Sequence, residues 1–146
     1  MVEENTLTDN EHFYSDERDD RVKETAEVFT PDWLVQELLD SLDIDWNNIP
    51  DEKFIDPTCG SGNFLVTLAK RGVPLKNIYG VDLMQDNIDI TKKRLKSIFL
   101  KKGITEEDIN FHLNRNIICE DAITYHYEFW WHKTDEQKEQ EYFDEW

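Results

Sequence analysis

Leu34, Val35, Leu38, Leu39 and Leu42 recur at three- and four-residue spacing, the pattern of one helix face. Thr30-Pro31 just ahead marks the start. Threonine caps the free amides, and proline suits the first helical position. Phe54-Ile55-Asp56 is a short apolar run that stops at an acid, which predicts a buried strand. The turn Pro57-Thr58-Cys59-Gly60-Ser61-Gly62 leads into a helix from Asn63 to Arg71, closed by Gly72. Ile78-Tyr79-Gly80-Val81-Asp82 is a second strand ending in an acid. A helix over 86–102 has acids early and Lys or Arg late, in the order that complements its dipole. Its apolar face is Ile88, Leu95, Ile98 and Phe99, and Gly103 stops it. Thr105 caps one more turn. Ile117-Ile118-Cys119 predicts a third strand, ending at Glu120-Asp121. Ile123, Tyr125, Tyr127, Phe129 and Trp131 alternate with more polar positions, which suggests a fourth strand or an extended arm.

Strands alternating with helices imply parallel pairing and right-handed crossovers, hence a doubly wound α/β sheet. Ligands of such sheets sit beyond the carboxyl ends of the strands. Asp56, Asp82 and Asp121 all fall at or just past those ends.

Composition then narrows the class. At 146 residues the chain is one domain, long enough to bury a core. It holds 33 acids and 16 Lys or Arg, a net charge of −17. The charge is uneven. Residues 1–28 hold 10 acids and 3 bases, residues 29–118 hold 14 and 11, and residues 119–146 hold 9 and 2. The middle is an ordinary globular stretch between acidic ends. Such a balance speaks against unaided DNA binding, which needs clustered Lys and Arg. The polar N-terminus carries no secretory signal, no run suggests a membrane span, and two cysteines make no disulfide framework. A cytoplasmic protein is the expectation. Cys59 and Cys119, placed on the first and third strands, read as buried thiols. The four histidines have no metal-ligand spacing. The basic run Lys92 to Lys102 reads as a solvated helix end.

The glycine turn carries chemistry. Gly60 and Gly62 stand where the chain bends sharply and lets a ligand approach the backbone. The helix that follows offers amides to an anionic group. Asp82 lies twenty residues after Gly62, where a carboxylate accepts from ribose hydroxyls. Together they point to a nucleoside-containing cofactor.

Phe29-Thr30-Pro31, Asp56-Pro57-Thr58-Cys59-Gly60-Ser61-Gly62, Val81-Asp82-Leu83-Met84 and Cys119-Glu120-Asp121-Ala122 occur in that order. As an ordered set they resemble the cofactor motifs of S-adenosylmethionine-dependent N6-adenine DNA methyltransferases, over roughly residues 27–130. The likeness is greatest to the short methylase-like proteins of tailed bacteriophages. The resemblance implies a Rossmann-like class I methyltransferase fold, truncated, with three to four mainly parallel strands and flanking helices. It implies that Phe29, Thr30 and Pro31 close over the methionine part. Asp56, with Pro57, Thr58 and the backbone of Gly60 and Gly62, would hold the amino-acid end. Asp82 would take the ribose hydroxyls, and Leu83 and Met84 would pack on the adenine. Asp121 would accept from the adenine amino group, and the Ala122 N–H would donate to the ring. The domain so outlined runs over 25–132, between acidic tails at 1–24 and 133–146.

The family's catalytic Asn/Asp-Pro-Pro-Tyr/Phe motif has no counterpart. The prolines stand at 31, 50, 57 and 74, none adjacent to another. The expectation is therefore an S-adenosylmethionine-binding, methyltransferase-like protein that needs a partner for methyl transfer or lacks it. Two other readings stay open. One is a non-catalytic acidic interaction protein, a host-protein inhibitor or DNA mimic on the same fold. The other is an enzyme that consumes S-adenosylmethionine without transferring its methyl group. A homodimer, or the aromatic tail, would cover an exposed sheet edge.

Overall fold

The structure is a computed structural model that describes residues 30–127. Phe29, the aromatic positions from Phe129 onward and both expected tails lie outside the described residues.

Helix α1 spans Asp32–Asp40. Pro31 itself is the cap residue, extended at φ −66° and ψ 152°, and its carbonyl accepts from the Leu34 and Val35 N–H groups. No side chain caps this end, so the expected Thr30 cap is not made. Strand β1 is Phe54–Asp56, helix α2 is Asn63–Lys70, and a short 3-10 turn at Leu75–Asn77 leads into strand β2, Ile78–Asp82. Helix α3 is Gln85–Lys101. Thr105 does cap, its hydroxyl accepting from the Asp108 N–H at 3.3 Å. The helix it starts is no single turn but α4, Glu106–Asn116. Strand β3 is Ile117–Cys119.

The strands are parallel in the order β1-β2-β3. That order advances one way, with no reversal. Right-handed crossovers then place successive helices on one face. Accordingly Val35, Leu65, Leu95, Phe99, Ile109 and Leu113, from all four helices, join Ile78 and Ile117 in one apolar core. Among the described residues the winding is single, not double. The opposite face carries Tyr79 and Val81, with Ile55, Ile118, Tyr125 and Tyr127 against them. Gly80 sets how close α2 comes to β2. A Cβ there would lie 2.6 Å from Leu65 Cδ1 and 3.2 Å from Cys59 Cβ, closer than packed carbons approach.

The fourth strand is not present over 123–127. Asp121 makes a turn instead. Its carboxylate accepts from the Ile123 N–H at 2.9 Å, and its carbonyl from the Tyr125 N–H at 2.8 Å. A side chain that closes its own turn competes with ladder pairing, and Ile123 is left 93% exposed. Among the described residues no helix is long and apolar enough to cross a membrane.

Candidate functional site

Parallel strands deliver Asp56 and Asp82 to the same carboxyl end of the sheet, one strand apart. The turn between β1 and α2 closes over that end. Gly60 and Gly62 have φ of 54° and 91°, the left-handed region that favours glycine. A Cβ on Gly62 would also lie 2.9 Å from the Thr91 side chain.

Asp82 anchors this turn. Its Oδ2 accepts from the Gly60 N–H at 3.0 Å. Its Oδ1 accepts from the Met84 N–H and from Asn87 Nδ2, both at 2.9 Å. Both oxygens therefore already serve the protein. A carboxylate has about four acceptor positions, so the position left over is on Oδ2.

Helix α3 holds the turn from behind with a polar row that the sequence reading missed. Asn87 bonds Asp82, Thr91 Oγ1 donates to the Gly60 carbonyl at 3.0 Å, and Arg94 Nη1 donates to the Ser61 carbonyl at 2.8 Å. Arg94 also donates to Asn63 Oδ1 at 2.9 Å, and Asn63 Nδ2 donates to the Thr30 carbonyl at 2.6 Å. Arg94 is buried at 8% exposure, Asn87 and Thr91 fully. Such burial is tolerated because each side chain has hydrogen-bond partners, although the Arg94 Nε itself makes no hydrogen bond. The signal was available: 87, 91, 94 and 95 share a helix face, and a buried Arg on an apolar stripe demands acceptors.

The remaining candidates arrange themselves around this frame. Thr30 and Pro31 lie beside the turn through the Asn63 link. Asp56 Oδ1 accepts from the Thr58 N–H at 3.1 Å, and Pro57 and Thr58 are exposed. Burial pushes the Asp56 carboxyl above its ordinary range, and the Asp82 charge pushes the same way against the Thr58 bond. Leu83 is 66% exposed beside Asp82, and Met84 is half-buried. Asp121 is exposed just past β3, and Ala122 is half-buried, its carbonyl accepting from the Tyr127 hydroxyl at 2.6 Å.

Cys59 belongs to the turn rather than to β1, and Cys119 ends β3; both are free thiols. Burial first, then Asp82 and Asp56, raise the Cys59 thiol far above its usual range, which keeps it unreactive. Cys119 is only half-buried. The basic run on α3 is largely a solvated helix end, with Lys93, Lys101 and Lys102 exposed. Lys96 pairs at the surface with Glu106 at 2.6 Å, Lys102 Nζ donates to the Ala69 carbonyl, and Arg94 is the buried exception. Among the described residues no group of three His, Cys, Asp or Glu is placed to hold a metal.

A family model for N-6 DNA methylases matches residues 8–139. Over 81 residues the chain is 36% identical to the Type II methyltransferase M.VspI of Vibrio sp. (strain 343). The matched stretch covers 56% of this chain and 18% of that protein. No solved structure matches the chain.

Proposed function

The chain belongs to the N-6 DNA methylase family, and from that premise we propose that the carboxyl ends of its strands bind S-adenosylmethionine for methyl transfer to adenine N6 in DNA. The observation that carries this reading is the glycine turn, bonded to Asp82 on one side and to α3 on the other. The donor set suits the cofactor. Gly62 brings no side chain to the start of α2, so the first-turn amides can receive the methionine carboxylate. Asp56 sits where an ammonium group would offset its burial. Asp82 Oδ2 retains room for one ribose hydroxyl, and exposed Leu83 offers apolar surface to the adenine. Thr30 and Pro31 border the methionine end, Met84 adds to the adenine surface, and Asp121 and Ala122 supply acceptor and donor to the ring edge. When bound, S-adenosylmethionine supplies an electrophilic methyl group.

These 146 residues hold no two adjacent prolines. The groups that accept from the target amino group therefore come from outside them. This chain holds the cofactor, and a partner segment supplies the acceptors and the DNA contacts.

Calorimetric titration with S-adenosylmethionine tests the reading. Asp82→Ala is a poor control, because it also unties the turn. Leu83→Asp is better, since an exposed position leaves stability nearly unchanged. Micromolar binding that weakens about tenfold or more in Leu83→Asp is the expected result, from lost apolar burial and added charge. A wild-type protein that takes up no cofactor overturns the reading.

A further inference from the structure

We infer that the free edge of β1, with the apolar groove beside it, is a docking site for a basic, apolar-anchored strand of another protein. The inference goes beyond the cofactor reading and does not rest on it.

A cavity of about 370 Å³ lies between α1, β1 and α2. Its lining includes Leu38, Leu42, Phe54, Phe64 and Leu68, and also Ile55 and Asp56. Successive strand residues point to opposite faces. A cavity lined by all three residues of β1 therefore abuts the strand's edge. Among the described residues β1 pairs with β2 alone, so that edge has no ladder partner. Leu38 and Leu42 are 44% and 45% exposed at the rim. An open edge beside an apolar trough is the arrangement that takes an added strand: main-chain bonds supply affinity, and alternate side chains enter the trough.

Charge selects the occupant. Residues 32–52 carry seven acids and no Lys or Arg. Arg71 pairs with Asp40 at 2.8 Å, and Lys76 with Asp51 at 3.4 Å. Asp32, Glu37, Asp43, Asp45 and Glu52 are exposed, with no cation against them among the described residues. Lys53 is turned to the other face, its Nζ 5.7 Å from the Tyr79 ring centroid. A second copy would bring a net charge of −17 to this rim. The chain's own ends would bring more acid than base as well: 10 against 3 over 1–28, and 9 against 2 over 119–146. Like charges across an interface are repelled, and complementary ones are steered together. The partner strand thus alternates Lys or Arg with large apolar residues. In either direction, one end of it lies beside Asp56 and the candidate site.

Fluorescence anisotropy with the full chain and two labelled heptapeptides tests this. One alternates Leu and Lys; the other, of equal charge, alternates Ser and Lys. The Leu–Lys peptide should bind about tenfold or more tightly, because only its apolar side chains fill the groove. Leu38→Ser with Leu42→Ser should remove that preference, and both positions are exposed enough to leave the fold intact. Hydrogen exchange should slow over 38–42 and 54–56 when the Leu–Lys peptide is added. Equal binding of the two peptides, or protection elsewhere, overturns the inference. So does protection of 54–56 without peptide: if it grows with protein concentration a second copy holds the edge, and if it does not the chain covers its own edge.

Discussion

The two ends of helix α3 hold the sheet by different means. Near its carboxyl end Leu95 and Phe99 are buried among Ile78, Ile109, Leu113 and Ile117, an apolar contact without preferred direction. Toward its amino end Ile88 joins the same core, but Asn87 and Thr91, fully buried, and Arg94, nearly so, are aimed at acceptors in the glycine turn, on Asn63 or on Asp82. α3 runs back along the strands. The apolar half therefore stabilises their starts, and the polar half shapes their ends, where ligands of parallel sheets bind. The apolar half fixes that the chain folds. The polar half fixes where backbone carbonyls and amides stand.

Breaking each half should give different consequences. Phe99→Ala leaves a large cavity in the apolar half and should cost about 3–5 kcal/mol in urea denaturation, losing fold and any binding together. Arg94→Met keeps the bulk but strips donors from the Ser61 carbonyl and Asn63 Oδ1. It should cost roughly 2–4 kcal/mol, because two buried acceptors lose their partner. It should also loosen the Thr30 segment, read as faster amide exchange there. Thr91→Val is nearly isosteric and should cost only about 1 kcal/mol, the worth of one neutral hydrogen bond. Cofactor affinity should fall with it, and Thr91→Ser, which keeps the hydroxyl but loses a buried methyl, should restore the affinity and not the stability.

The smallest effect is at Asp56, and it has the opposite sign. Its folded-state pKa is raised, chiefly by burial. The fold thus favours the neutral carboxyl, and ionisation at neutral pH works against stability. Asp56→Asn should raise the melting temperature at pH 7 while weakening cofactor binding. The gain should shrink as pH falls through the raised pKa and vanish below the unfolded-state value, where both side chains are neutral. Melting curves across that range check it.

How much of this was legible depended on which force governs each segment. Phe54–Asp56, Ile78–Asp82 and Ile117–Cys119 follow directly from apolar runs that stop at polar residues, since buried parallel strands have no polar face. Only β2 is buried almost throughout, whereas the expected burial of Phe54–Asp56 is only partial and β3 is half-buried beyond Ile117. In the sequence helix α4 shows as no more than a single turn because it buries little besides Ile109 and Leu113, and leaves Phe111 59% exposed. Its start is written in the Thr105 cap and three first-turn acids. Of the two alternatives after β3, a strand over 123–127 is displaced by the Asp121 turn, a side-chain effect that alternation alone does not reveal. The strand-end acids could be placed from spacing. The engagement of Asp82 by three N–H donors could not, since it depends on Gly60, Met84 and Asn87 meeting in space.

The central claim is that the polar half of α3 holds the glycine turn ready for the cofactor. Amide hydrogen exchange resolved by residue, with and without S-adenosylmethionine, tests it most directly. The account predicts slower exchange on adding cofactor at Gly60 to Gly62 and at Leu83 and Met84, with the change lost in Thr91→Val and restored in Thr91→Ser. Saturating cofactor that leaves these amides unchanged, or protects another part of the molecule, would contradict it.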